Sequence, residues 1–183
     1  MRREIPNSRL VRFFETIRRC RRGAAASEFA LIAGPFFVLI IGIMEVAWQL
    51  ATGAALDHAA LKASRFGATG ATQIPEWQRR GTPVADLPGT RTEAVRWLVS
   101  TSTGGLIRLD ASQLTVTAEN WSSLGAITPT AEPGTGEGGA GAIVSYTITY
   151  RQPFITGAVA ASLWGGTGFT HRTTIVVKNE PFT

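Results

Sequence analysis

Glu28 is a carboxylate placed one residue before an apolar run, and its position demands a chemical partner. The stretch "RRGAAASEFALIAGPFFVLIIGIMEVA", residues 21 to 47, has no charged side chain from Phe29 to Met44. A carboxylate embedded in a membrane costs about 2.5–3.5 kcal/mol at the centre of a helix on insertion scales, and less near an end. Gly23 closes the basic segment that precedes the run. A cut after it leaves the α-amine of Ala24, a cation with a pKa of about 7.7–8.0, and makes Glu28 the fifth residue of the new chain. In an assembly of such chains, Glu28 of one subunit neutralises the amine of a neighbour. The chemistry this spacing points to is ion pairing between subunits, not catalysis.

Other chemistry-bearing residues are sparse. His58 sits beside Asp57 on an alanine-rich stretch, and His171 alternates with apolar residues. No HExxH or paired-ligand spacing accompanies them, so both read as surface histidines and no metal site is expected. Glu119, Glu132 and Glu137 surround a glycine-rich loop and read as solvated acids. There is no nucleophile elbow or dinucleotide fingerprint, and the glycines at 134 to 141 lack the lysine of a phosphate loop. The expectation is a non-enzyme without cofactors. The single cysteine, Cys20, lies in the basic segment, so a chain cut after Gly23 must fold without disulfides. Of the five tryptophans, Trp48 falls where an aromatic belt meets the outer interface; Trp77, Trp97, Trp121 and Trp164 are expected in a core. Asn120-Trp121-Ser122 matches the glycosylation sequon by chance.

Charge tells which element positions Glu28. The 183 residues carry a formal +5, but eight of the 18 basic residues are arginines within the first 22 positions, against Glu4 and Glu15. That segment therefore carries +6 and the remainder −1, so the basicity does not indicate nucleic acid. Phe29 to Met44 is 16 uncharged residues, and extension to Leu50 across Glu45 and Gln49 makes 22. A spanning helix needs about 20 predominantly apolar residues, and the run has no polar stripe of the kind a soluble amphipathic helix shows. Positive flanks stay on the cytoplasmic side, which places the N-terminus inside and everything after about Leu50 outside. A conventional secretory signal would be cut near Ala51 to Ala54, which makes it too long.

Beyond Leu50, alanines and leucines continue the helix until "FGATG" ends it near Gly67 or Gly70. From Ala24 to Arg65 it would extend roughly 63 Å at about 1.5 Å per residue, with an alanine-rich face that permits close helix approach. Pro35 is a candidate kink. "TQIPEWQRRGTPVADLP" is a connector. "TRTEAVRWLVSTSTGG" opens with Thr90 three residues before Glu93, a capping-box spacing, and predicts a helix ending at Gly104-Gly105. "SQLTVTAE", "AIVSYTITYR" and "FTHRTTIVVKN" predict antiparallel strands. "TPTAEPGTGEGGAGA" reads as a mobile loop, and "PFITGAVAASLWGG" as a helical or irregular crossover. The expected fold is α+β: a basic leader over 1–23, a transmembrane and stalk helix over 24–70, and an extracytoplasmic head over 71–183 with about three antiparallel strands and a short helix.

A basic leader, glycine, four residues, glutamate, phenylalanine and an apolar helix together resemble the leader of type IV pilins. More narrowly, "RRGAAASEFALI", "GIMEVA" with Glu45, "AALDHAALKASRFGATG" and the terminal "VVKNEPF" look like the TadE-like family of tight-adherence (Tad/Flp) pilus proteins. The resemblance implies a minor pseudopilin of the inner membrane. Prepilin peptidase would cut it between Gly23 and Ala24, with Arg21, Arg22 and Phe29 adjoining the junction and Glu28 serving assembly. Its partners would be that peptidase, other pilins and pseudopilins, the Tad inner-membrane assembly platform and the lipid bilayer, with no nucleic acid. The alternative is an uncleaved single-pass anchor whose periplasmic head binds an envelope partner.

Overall fold

The computed structural model describes residues 21–79, 81–108, 110, 112–128 and 130–181, without the side chains of Arg21 and Arg22. The basic leader to Cys20 and the closing Phe182 of the terminal motif lie outside the described residues. Two compact units divide the chain, Met1–Met44 and Glu45–Thr183.

One helix, α1, runs Arg21–Ala68 and is continuous through Pro35. In the first unit its apolar side chains are exposed on all sides: Phe29, Leu31, Ile32, Phe36, Phe37 and Leu39 are each more than half accessible. This is the one helix among the described residues long and apolar enough to cross a membrane. It ends where the sequence predicts. Thr69 closes it by donating N–H and Oγ1 to Phe66 O, and Gly70 takes the left-handed φ of +72° that a side chain rarely tolerates.

The second unit packs the rest of α1 and a second helix on one face of a four-stranded antiparallel sheet. The connector forms short 3-10 turns at Glu76–Gln78 and Val84–Asp86. Helix α2, Arg91–Ser102, begins at Thr90, whose side chain accepts from the N–H of Glu93 as the capping spacing predicts. Strand β1 spans Leu114–Trp121, β2 Gly134–Thr135, β3 Ile143–Pro153 and β4 Gly168–Lys178, with spatial order β2-β1-β3-β4. Helix α3, Ala158–Trp164, occupies the β3–β4 crossover. Three strands match the expected ones; the fourth is the two-residue β2 inside the loop expected to be mobile. Asn120 Nδ2 holds that loop by donating to Thr135 O and Gly136 O, both at 3.1 Å.

The core joins Leu56, Ala59, Ala60, Ala63 and Phe66 of α1 with Val95, Leu98 and Val99 of α2 and with Leu114, Val144, Tyr146, Ile148, Tyr150 and Ile175 of the sheet. The alanine-rich face of α1 is thus occupied within its own chain, in the core it shares with α2 and the sheet. Gly67 makes the closest approach: a Cβ there would stand 2.9 Å from the ring of Tyr146. The opposite face of the sheet is a threonine ladder, in which Thr117 opposes Thr147 and Thr147 opposes Thr174. Of the tryptophans expected in the core, Trp97 is buried, whereas Trp77 and Trp164 are exposed, because the connector and α3 lie at the surface.

Candidate functional site

The residues singled out by spacing lie together at the start of α1. Gly23, Ala24, Glu28 and Phe29 are all exposed, and a side chain at Gly23 would meet nothing within 4 Å. Ser27 Oγ donates to Ala24 O at 2.8 Å. Residues four apart share a helix face, so Glu28 stands one turn from the backbone nitrogen of Ala24. The helical backbone extends through Arg21 and Arg22. The arrangement offers an accessible carboxylate next to the backbone nitrogen that a cut after Gly23 would turn into an amine.

A second constellation was not legible from sequence. Glu45, which ends the uncharged run, is 1% exposed. Its Oε2 accepts from both the N–H and the Oγ1 of Thr156, each at 3.1 Å, and its Oε1 accepts from Gln49 Nε2 at 3.0 Å. Because Gln49 gives its amide nitrogen to Glu45, its Oε1 faces His171 Nε2 at 3.0 Å. The imidazole nitrogen must therefore carry the proton and donate it. Gly53 makes room for the ring: a Cβ there would come 3.3 Å from His171 Nδ1. Burial holds the His171 pKa below its ordinary value, against an upward pull from Asp57. His171 is thus a half-buried partner of α1, not the surface histidine expected; His58 is exposed as expected. Glu45 and Gln49, read from sequence as interruptions within a longer apolar span, are instead buried polar groups of the second unit. Thr156 lies 111 residues from Glu45, too far for any local pattern to register.

A third polar cluster gathers the chain's late residues. Arg91 is buried at the start of α2, with NH1 donating to Asn179 Oδ1 at 3.2 Å and to Glu137 O at 3.4 Å, and its guanidinium 3.9 Å from the Glu137 carboxylate. Glu137 also accepts from the N–H of Thr92. Asn179 Nδ2 donates to Glu137 O at 3.0 Å and Gly139 O at 2.8 Å, while the N–H of Glu180 donates to Ala68 O at 2.8 Å. The "VVKNEPF" motif therefore fastens the end of β4 to the end of α1 and to the glycine loop. Glu137, read as a solvated acid, is a structural acceptor here. Among the described residues no group of three or more His, Cys, Asp or Glu is placed to hold a metal ion.

Residues 23–65 match the family model described as TadE-like protein. No curated protein and no solved structure matches the chain. The match begins at Gly23 and takes in Glu28, the apolar run, Glu45, Gln49 and most of the alanine-rich face that α1 buries in the core; over this segment, about a quarter of its length, the chain is similar to TadE-like proteins.

Proposed function

We propose that this chain is a single-pass inner-membrane component of a tight-adherence pilus system, a minor pseudopilin whose basic leader is removed after Gly23. The observation that carries the proposal is the TadE-like match over residues 23–65, which spans both the junction and the exposed apolar helix. From Ala24 to Met44 the helix measures roughly 31 Å at about 1.5 Å per residue, enough for a hydrocarbon core of about 30 Å. The arginine-rich leader directs the N-terminus to the cytoplasm and the second unit to the periplasm. Glu28, near the cytoplasmic end of the span, then meets the α-amine of Ala24 from a neighbouring subunit. The lateral surface of Phe29–Met44 packs among the helices of other pilins and the assembly platform. Prepilin peptidase and these subunits are the partners in this reading, and the function is structural.

A second reading, the uncut anchor, draws on the helical backbone at the junction, since α1 begins at Arg21 and a protease engages an extended substrate more readily than a helical one. Intact mass of the membrane-extracted protein separates the two. Co-expression with prepilin peptidase should give a chain beginning at Ala24, and Gly23→Val should leave the full-length chain. Full-length protein in both cases supports the anchor; an N-terminus near Ala54 contradicts both readings.

A further inference from the structure

We infer that the β3–β4 crossover, Phe154 through Phe169, is a second membrane contact, lying in the interface of the same bilayer that the apolar run crosses. The inference rests on the membrane-spanning reading of Phe29–Met44 given above. From Gln152 to His171 no Asp, Glu, Lys or Arg occurs, and the exposed Arg151 and Arg172 flank this stretch. Its apolar side chains face outward: Ile155 is 58% exposed, Val159 46%, Leu163 56%, Trp164 42% and Phe169 41%. They are not a loose loop. Phe154 is buried beneath them, with its ring centroid 5.2 Å from Phe169 and 6.1 Å from Trp164, and Arg151 reaches back to Thr167 Oγ1 at 2.6 Å.

What covers this patch follows from where it is tied. Thr156, between Ile155 and α3, binds Glu45 through both its N–H and its hydroxyl, and Glu45 directly follows Met44, the last residue of the uncharged run. Wherever that run leaves the hydrocarbon, the crossover is fastened one residue later. An exposed apolar surface with a tryptophan, no charge of its own and arginines at its margins is the composition of an interfacial segment, with aromatic and aliphatic groups at the acyl boundary and cations among the phosphates. The occupant is lipid. The Glu45–Thr156 bonds keep the crossover beside the point where α1 leaves the hydrocarbon.

The full chain, with Cys20→Ser, carries a single environment-sensitive fluorophore at Ile155→Cys, Val159→Cys or Leu163→Cys, in vesicles of phosphatidylethanolamine and phosphatidylglycerol at high lipid excess. Quenching by iodide in water is compared with quenching by nitroxide groups on the lipid tails. Labels about 5–10 Å into the headgroup–acyl boundary should show roughly fivefold weaker iodide quenching than a label at Thr117→Cys on the threonine ladder, and clear nitroxide quenching. Iodide quenching equal to that at Thr117 overturns the inference. Shielding from iodide without nitroxide quenching also overturns it, by showing that protein covers the patch. A label at Val38→Cys in the apolar run reports the underlying reading separately: if Val38 is quenched by nitroxide and the crossover is not, only the second contact fails, and if Val38 is not quenched, the membrane span itself fails.

Discussion

A carboxylate at the border of an apolar run must be neutralised or satisfied, and Glu28 and Glu45, at the two borders of the same run, do so differently. Glu45 is satisfied within its own chain by three donors. Glu28 is exposed on α1, and in the proposed assembly its partner is supplied by another subunit. Glu28→Gln should then leave membrane insertion intact and cleavage at Gly23 unchanged, while crosslinking to other pilins drops sharply. Removing one partner of a buried pair costs about 3–5 kcal/mol, against about 0–1 kcal/mol for an exposed pair, so a marginal loss would count against an assembly role. His171 gives a pH test. Its folded pKa lies below the ordinary value because burial disfavours the imidazolium, so the unfolded chain takes up a proton at a pH where the folded chain does not. Stability is full above the unfolded value of about 6.5 and falls as pH drops through it, levelling off below the folded pKa. Thermal melts of the detergent-solubilised chain should show this decline, and His171→Gln should flatten it. Spacing made Glu28 legible because Ala24, whose amine on a neighbouring subunit is its proposed partner, stands four positions before it in the same sequence; the Glu45–Thr156 and Gln49–His171 pairs, 111 and 122 residues apart, exist only once the sheet is folded.

Periodicity carried the elements further than it carried their contacts. Leu114, Val116 and Ala118 alternate with exposed threonines on β1, so its inward face could be read directly. Strand β3 is buried almost continuously from Ile143 to Tyr146, because it lies between β1 and β4, and Ile143 and Ser145 on the threonine face are covered as well. The two residues of β2 carry no strand pattern and form because Asn120 gathers their backbone. Helix α1 was legible in its length and its end, but an alanine-rich face fits a neighbouring helix and a sheet equally well, and composition cannot choose. Here that face is buried in a core built by both α2 and the sheet, and Gly67, against Tyr146 of β3, shows how close the approach to the sheet is. Gly67→Val would force side-chain atoms into the buried ring of Tyr146, and overpacking of this kind costs about 1–3 kcal/mol. The melt of the head should move down accordingly. Gly34→Val, with nothing within 4 Å, should leave it unchanged.

At the scale of the molecule, the open question is where the folding unit of the head begins. The end of α1 suggests a boundary near residue 70, whereas the contacts group Glu45–Thr183. We predict that a chain of residues 45–183 folds in solution and that a chain of residues 71–183 does not. Deleting the α1 segment removes Leu56 and Phe66, each worth about 1.5–3 kcal/mol on full burial, together with three buried alanines. It also uncovers Tyr146, Ile148 and Val144, whose inward surfaces α1 helps to close, and removes the carbonyls of Gly67 and Ala68, to which Arg91 NH1 and the N–H of Glu180 donate. Against a total stability of about 5–15 kcal/mol for a typical domain, losses of this size exhaust the margin. The longer fragment keeps every one of these contacts and both hydrogen-bonded ends of the Glu45–Thr156 pair, while shedding the apolar run that would aggregate in water. Dispersed amide resonances and a cooperative urea transition are expected for 45–183, and neither for 71–183. A cooperative transition in the shorter fragment would mean that α1 leans on a head already stable without it, and the alanine-rich face would then be free to leave the sheet and meet the helix of another subunit.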